Sequence, residues 1–189
     1  NETDEADHII TFSEDLDNLL GGGFPLKSVM EISGTPGIGK TQMCLQACVS
    51  VQLPSCIGGV EGEAVYVDTE GSFSILRLKD SIAFHFRHDF TDMSARSSIL
   101  CSMSQDLIHL ASKHNLTVIV TNQMTTKVRA IGHSEIIPAL GETWGHCPTI
   151  RLLLHWKGLS RIATVIKSPH IPLCTVEYQA SFSPSISVR

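Results

Sequence analysis

The sequence of 189 residues lacks several features that would each place a protein in a particular class. It has no run of about 18 uncharged apolar residues, so we expect no helix that spans a membrane. Its six cysteines form no CxxC pair and no cysteine–histidine spacing of a zinc site, which favours a reducing compartment such as the nucleus or the cytosol. Cys44 and Cys48 are therefore predicted to be small apolar residues of a helix.

Basic residues are also few. The chain has 14 lysines and arginines against 19 aspartates and glutamates, which gives a formal net charge of −5. We therefore expect no large basic surface, although a local site for a polyanion is compatible with this charge. The 42% of hydrophobic residues predict a folded domain with a core. Residues 1–7 are acidic and do not begin with Met, from which we expect no signal peptide and a piece of a longer protein.

Strand and helix patterns alternate along most of the chain. Helices are predicted at residues 40–52 and 94–114, and strands at residues 29–32, 64–67, 116–120, 149–154, 162–166 and 174–178. This order predicts an α/β domain with a mostly parallel central sheet flanked by helices and with antiparallel strands at its C-terminal edge. Residues 1–20 are interpreted as a linker remnant and entry segment, and residues 21–189 as the core domain.

Two segments within this order allow finer predictions. The apolar face of the second helix is expected to contain Ile99, Met103, Leu107, Ile108 and Leu110, because these residues recur at helical spacing. Residues 125–138 are polar, contain a glycine and are expected to be irregular.

A glycine-rich segment directly follows the first predicted strand. Residues 34–41 read GTPGIGKT and match the pattern G-x-x-x-x-G-K-[ST], which binds nucleotide phosphates. Glycines allow successive backbone N–H groups to surround phosphate oxygens, and the N-terminus of the following helix adds partial positive charge. The lysine is expected to reach the β- and γ-phosphates, and the threonine to ligate Mg²⁺. The expected nucleotide contacts are Gly34, Pro36, Gly37, Ile38, Gly39, Lys40, Thr41 and Gln42.

Polar residues also follow two other predicted strands. Glu70, in the segment DTEG, is a candidate for orienting or deprotonating an attacking water, and a surface turn is the alternative. Asn122 and Gln123, in the segment TNQ, end a predicted strand, and a neutral amide there is a candidate for donating a hydrogen bond to a γ-phosphate, with a simple strand-end turn as the alternative. Arg87 and Arg129 lie in predicted loops, where they would contact nucleic-acid phosphates or remain solvated charges.

Several segments together carry a resemblance to a known family. They read GTPGIGKT, VYVDTEGSF, VIVTNQMTTK and PALGETWGH, with Lys167-Ser168-Pro169 near the end. With these segments the chain resembles the eukaryotic RecA-like recombinases of homologous recombination, and among them a paralogue of the main recombinase. The resemblance implies a RecA-type P-loop ATPase core that uses ATP and Mg²⁺. It also implies a nuclear DNA-repair role, with other recombinase paralogues and single-stranded or branched DNA as partners.

The resemblance further implies roles for individual residues. Glu70 corresponds to the catalytic glutamate, Gln123 to the γ-phosphate sensor, and Asp80 to the aspartate that steadies Mg²⁺ through water. Lys167 stands where the main recombinase has Asp, and we hypothesise that its ammonium replaces a cation near the γ-phosphate across a subunit interface. The remaining positions are Pro169 in the cap over a neighbouring subunit's nucleotide and Arg87, Lys127 and Arg129 in the DNA-facing loops.

The segment around Asp80 is physically inconsistent with this resemblance. An aspartate of that kind should follow a buried apolar strand, but residues 75–79 read ILRLK and would bury two unpaired cations. A crossover between parallel strands needs about a dozen residues or more, which leaves no room for a strand between Asp68 and Asp80. We therefore expect that residues are missing between about 76 and 80, and that one Cα pair there lies farther apart than a peptide link. A natural deletion is the alternative, and it would leave a damaged ATPase.

The function predicted from the sequence is ATP binding, with weak DNA-dependent hydrolysis, in a complex that supports recombinase filament assembly on single-stranded DNA. Lys40 and Mg²⁺ would hold the γ-phosphate while Glu70 orients water. The first alternative is a non-hydrolysing, ATP-dependent structural adaptor in a paralogue complex. The second is a small-molecule kinase, which is disfavoured because no arginine-rich lid is visible in the sequence.

Overall fold

The computed structural model describes residues 7–57, 59–67, 93–128 and 134–179. The helices are α1 (Glu14–Leu20), α2 (Lys40–Ser50), α3 (Met93–His114) and α4 (Gly141–Gly145), with a short 3-10 helix at Ser55–Ile57. The strands are β1 (His8–Ile9), β2 (Phe24–Pro25), β3 (Ser28–Gly34), β4 (Thr117–Val128), β5 (Ser134–Pro138), β6 (Ile150–Lys157), β7 (Ser160–Lys167) and β8 (Thr175–Tyr178).

Six of these strands form one sheet in the order β5-β4-β3-β6-β7-β8. The central strand β3 is parallel to both of its neighbours, β4 and β6. Antiparallel pairs flank this centre, with β5 on one side and β7 and β8 on the other. The α/β fold class and the antiparallel C-terminal edge are confirmed, and the structure adds a second antiparallel edge at β5.

Alternating side chains of β3 face two separate cores. Met30 and Ile32 pack with Met43, Cys44 and Ala47 of α2, and this core also includes the buried leucines of α1. Val29 faces the other way and packs with residues of α3, β4 and α4, namely Leu100, Ala111, Val120, Leu140 and Trp144. The period of two along a strand thus places α1 and α2 against one face of the sheet and α3 and α4 against the other.

Helix α1 begins and ends at the residues that its sequence favours. The hydroxyl of Ser13 accepts a hydrogen bond from the Leu16 N–H at the start of α1, and Gly21 ends that helix with a φ of 74°. Leu16, Leu19 and Leu20 are buried in the core beside α2. Helix α1, which lies in the predicted linker remnant and entry segment at residues 1–20, is therefore packed against the domain core.

The apolar face of α3 differs from the predicted one at two positions. Met103, Leu107 and Ile108 pack against the core as predicted, together with Leu100 and Ala111. Ile99 and Leu110 are instead 46% and 44% exposed. The apolar stripe therefore contains Leu100 and Ala111 in place of their neighbours Ile99 and Leu110.

The segment predicted to be irregular at residues 125–138 is mostly strand. Strand β4 continues to Val128, and β5 returns antiparallel to it, with Thr125 opposite Ile137 and Lys127 opposite Glu135. The polar side chains misled the prediction, because both strands of this ribbon are partly exposed and need no apolar face.

The predicted strand at residues 64–67 is wrong as well. These residues pair with no strand among the described residues, and Val65 and Val67 are 89% and 63% exposed. On the side of β4 away from β3, residues 117–123 likewise have no described partner strand. Residues 64–67 therefore have a sequence that is typical of a buried strand but lie outside the sheet.

Among the residues that the structure describes, none of the helices has both the length and the apolar composition that a membrane span requires.

Candidate functional site

The glycine-rich loop connects the end of β3 to the start of α2. Gly37 and Gly39 adopt φ values of 77° and 114°, which favour residues without a Cβ. Gly39 is the N-cap of α2, and no side chain bonds the N–H groups at that helix end. These N–H groups and the positive end of the helix dipole therefore face the loop, which is the arrangement that binds an anion.

Lys40 contacts the same loop from the first turn of α2. Its Nζ donates hydrogen bonds to the carbonyl oxygens of Gly34 and Thr35, at 2.7 and 3.1 Å. Gly34 is required for packing, since a Cβ there would lie 2.7 Å from the carbonyl oxygen of Leu154 on β6. At Gly37, by contrast, an added Cβ would meet no atom within 4 Å, so this side of the loop is open.

Tyr178 of β8 supports the loop from behind. Its hydroxyl donates a hydrogen bond of 2.7 Å to the carbonyl oxygen of Ile38, and both residues are buried. Burial raises the pKa of the Tyr178 hydroxyl, which therefore stays protonated and remains a donor. Sequence reasoning missed this residue, because 140 positions separate the partners and no local pattern joins them.

Gln123 lies beside the loop, as its predicted role requires. In the parallel pair of β3 and β4, Gln123 is opposite Gly34, the first residue of the loop. The preceding Asn122 is fully buried and donates a hydrogen bond of 2.5 Å to the carboxylate of Glu31. The structure thus brings the predicted sensor position and the predicted phosphate loop to the same edge of the sheet.

Glu31 is the centre of a polar cluster that sequence reasoning also missed. It lies on β3 with no exposed surface, and its second carboxylate oxygen accepts a hydrogen bond from Nε of Arg151 on β6. The Arg151 side chain is 16% exposed. This hydrogen-bonded ion pair joins the fully buried carboxylate to the partly buried guanidinium, and Asn122 adds a neutral donor from β4.

Lys167 of β7 extends this polar cluster to the strand next to β6. It is opposite Arg151 in the pair of β6 and β7, and its Nζ donates to the carbonyl oxygens of Gly145, His146 and Pro148, at 3.4, 2.8 and 2.6 Å. Burial and the nearby Arg151 guanidinium lower the pKa of this ammonium. The predicted role across a subunit interface stays a prediction, and it requires that these bonds within the chain be given up.

The other predicted site residues fall into two groups. Glu70, Asp80, Arg87 and Arg129 lie outside the described residues, as does the expected chain break near residues 76–80. Lys127 and Pro169 are exposed, and Lys127 forms an ion pair of 2.8 Å with Glu142 of α4. This ion pair joins the ribbon of β4 and β5 to the helix that follows it.

The residues of the glycine-rich loop and of the first turn of α2 are suited to binding a nucleotide. The open loop, the N-terminus of α2 and Lys40 provide donors for phosphate oxygens, and Thr41 in the first turn of α2 provides a hydroxyl for Mg²⁺. Within the described ranges, no group of three or more histidine, cysteine, aspartate or glutamate side chains could hold a metal by itself. Phosphate oxygens would supply further ligands to Mg²⁺ beside the Thr41 hydroxyl.

Comparisons with known proteins agree with this geometry. The sequence model of the Rad51 family matches residues 3–80 and 74–183. The chain is 37% identical to "DNA repair protein RAD51 homolog 3" of Cricetulus griseus and 33% identical to the protein of the same name from Dictyostelium discoideum, each over 90% of its length. It is also 32% identical, over 87% of its length, to "DNA repair and recombination protein RadA" of Aeropyrum pernix.

The lengths of these alignments carry further information. The chain spans 66% and 63% of the two RAD51 homolog 3 proteins and 68% of the RadA protein. The three alignments extend over 242, 240 and 217 positions, although the chain has only 189 residues. The relatives therefore contain residues that this chain lacks inside the aligned region. The family match is also divided into two runs, which overlap at residues 74–80.

Proposed function

This chain belongs to the Rad51 family, and we propose that it is an ATP-binding subunit of a nuclear complex for homologous recombination. In this proposal it assembles with other recombinase paralogues and supports a recombinase filament on single-stranded DNA. The names of its relatives, which refer to DNA repair and recombination, support the biological role. The observation that carries the biochemical role is the open phosphate loop with the uncapped start of α2, Lys40 and Gln123 around it.

Each part of the site has a role in this proposal. The N–H groups of the loop and the Lys40 ammonium bind the phosphates, and the Thr41 hydroxyl helps to hold Mg²⁺, which neutralises phosphate charge when bound. Asp80 would steady that ion through water. Gln123, opposite Gly34, would respond to the γ-phosphate. Glu70 would orient water for hydrolysis, and Pro169 would lie against the nucleotide of a neighbouring subunit.

Contact with DNA would be made mainly within the assembled complex. The net charge of −5 does not favour an independent basic surface. The candidate contacts are Arg87, Lys127 and Arg129, and Lys127 is already paired with Glu142. A DNA phosphate would therefore compete with a carboxylate for this ammonium. We expect binding to single-stranded DNA to weaken steeply with salt and to strengthen with ATP and a paralogue partner.

Nucleotide binding is the first test. Titration of the full chain with a fluorescent ATP analogue in the presence of Mg²⁺ should show saturable binding. Lys40→Met should weaken binding by about tenfold or more, since it removes a charged donor to phosphate. Lys113→Met, in the last turn of α3, is the matched loss of one lysine and should leave affinity unchanged. Equal affinity of wild type and Lys40→Met would contradict the proposed site.

One set of observations favours the second function, a non-hydrolysing adaptor whose interface depends on bound ATP. The segment before Glu70 lies outside the described sheet with its valines exposed, and relatives contain residues that are missing inside the aligned region. Loss of the strand that precedes Asp80 in the family would remove the support for both Asp80 and Glu70. Residues needed for binding would remain, while residues needed for hydrolysis would lose their positions.

Single-turnover hydrolysis separates the two functions. If the chain hydrolyses ATP, wild type should exceed Glu70→Ala by about a hundredfold, which is typical for loss of a group that acts on water. If it is an adaptor, the two rates should be equal while both proteins still bind ATP. Insertion of the corresponding segment of the Cricetulus griseus relative between residues 76 and 80 should then create a dependence on Glu70.

A further inference from the structure

Two cysteines that are far apart in the sequence lie in contact beside the sheet. Sγ of Cys101 on α3 is 3.9 Å from Sγ of Cys147, which follows α4, and 46 positions separate them. Both are free thiols and both are partly exposed, so small molecules have access to them. The proposed binding and catalytic residues include neither of them.

Packing on both sides holds the two thiols together. Leu100, next to Cys101, is 1% exposed, and Trp144, three positions before Cys147, has no exposed surface. Both belong to the core on one face of the sheet, and Cys147 packs against that core. The backbone N–H of Cys147 also donates to the carbonyl oxygen of Trp144, at 2.9 Å. The contact is therefore fixed by the fold and not by a mobile end of the chain.

The turn that contains Cys147 is also the turn that binds Lys167. The ammonium donates to the carbonyl oxygens of His146 and Pro148, the residues on either side of Cys147, at 2.8 and 2.6 Å. Through Lys167 and its neighbour Arg151, this turn is connected to Glu31 on the strand that carries the phosphate loop. A covalent bond at Cys147 would fix the turn to α3 without occupying the phosphate loop.

We propose that Cys101 and Cys147 are a site of reversible disulfide formation, with a low-molecular-weight disulfide such as oxidised glutathione as the oxidant. A disulfide needs a sulfur–sulfur distance of about 2.05 Å, so the sulfurs must approach by about 2 Å. Rotation of the side chains and a small shift of the turn can supply this approach. The weak bond of 3.7 Å from the Cys147 Sγ to the Thr143 carbonyl oxygen would then be released.

The reaction follows ordinary thiol–disulfide exchange. The Cys147 thiolate attacks one sulfur of oxidised glutathione, forms a mixed disulfide and releases one glutathione thiol. Cys101 then loses its proton to solvent and attacks Sγ of Cys147, which releases the second glutathione. Two protein thiols are oxidised by two electrons, and one small disulfide is reduced to two thiols. Burial and the adjacent Cys147 thiol raise the pKa of Cys101, so this thiol must lose its proton before it attacks.

The test uses the full chain in glutathione buffers of increasing oxidised fraction. Free thiols are trapped with N-ethylmaleimide, and peptides are identified by mass spectrometry without reduction. We expect a peptide that links Cys101 to Cys147, a loss of alkylation at these two thiols, and full reversal by dithiothreitol. Cys101→Ser and Cys147→Ser should each abolish the linked peptide. The control Cys174→Ser, a partly exposed cysteine on another face, should leave its yield unchanged.

Three outcomes would overturn the proposal. One is a stable glutathione adduct at Cys147 with no linked peptide, and another is a linked peptide that joins other cysteines. The third is a linked peptide that forms only in urea, since that would show that the folded state does not bring the thiols together. Circular dichroism of each serine variant before oxidation establishes that it is folded. If Cys147→Ser does not fold, Cys147→Ala provides the same test without the hydroxyl.

Discussion

Asn122 on β4 donates a hydrogen bond of 2.5 Å to Glu31 on β3, so a fully buried carboxylate is bound from the residue next to the predicted phosphate sensor. The other oxygen of the same carboxylate binds Arg151 on β6. One side chain thus connects the three central strands of the sheet. Such a connection fixes the relative positions of the strands whose ends form the candidate site.

Breaking this connection should destabilise the protein strongly. Glu31→Met leaves the Arg151 guanidinium without its partner, and we expect a loss of about 3 kcal/mol or more in the free energy of unfolding in urea. Glu31→Met combined with Arg151→Met should be more stable than Glu31→Met alone, because no unpaired charge remains. A double variant that is less stable than either single variant would contradict this account of the ion pair.

Loss of the Tyr178 hydroxyl should weaken the phosphate loop. Tyr178→Phe leaves the buried carbonyl oxygen of Ile38 without its donor, and we expect a loss of about 1–2 kcal/mol in the free energy of unfolding. Affinity for an ATP analogue should fall by more than it does in Thr164→Val. That control removes an exposed hydroxyl pair of 3.1 Å between the same two strands, β7 and β8. Equal affinity for the two variants would show that Tyr178 does not position the loop.

Two glycines of the loop should respond differently to alanine. Gly34→Ala places a Cβ 2.7 Å from the Leu154 carbonyl oxygen and should destabilise the fold, which a lowered urea midpoint would show. Gly37→Ala meets no atom within 4 Å but keeps a φ of 77°, so it should lose only about 1 kcal/mol. Its nucleotide affinity should nevertheless fall, because the Cβ enters the open side of the loop. The reverse order of stabilities would contradict the packing of Gly34 on β6.

Lys167 should make stability depend on pH in the alkaline range. Because burial and Arg151 lower its pKa in the folded state below 10.5, the unfolded chain binds this proton more tightly. The contribution of Lys167 to stability should therefore increase as the pH rises through the window from its folded-state pKa up to 10.5. Lys167→Met should lack this increase. Urea unfolding of both proteins from neutral pH towards 10.5 measures the difference, and parallel curves would argue against a lowered pKa.

The sequence predicted an element correctly where a pattern of neighbouring residues was enough to define that element. Helices α2 and α3, the glycine-rich turn before α2 and the last three strands were confirmed as elements of the fold, since each has its own glycine motif or apolar spacing. Phosphate binding by that turn stays a prediction. The irregular segment at residues 125–138 was a wrong prediction, because partly exposed strands carry no apolar period. The strand at residues 64–67 was wrong for another reason. Its residues are typical of a buried strand, but the backbone N–H and C=O groups of a strand also need hydrogen-bond partners on a neighbouring strand.

The sequence by itself determined the phosphate loop and the resemblance to recombinases, because these depend on residues within a few positions of one another. Only the tertiary structure decided which distant residues support that loop. The contacts of Tyr178 with Ile38, Glu31 with Arg151, and Cys101 with Cys147 join elements separated by 140, 120 and 46 positions. Strand order and helix packing bring them together, and no spacing along the chain encodes that order by itself.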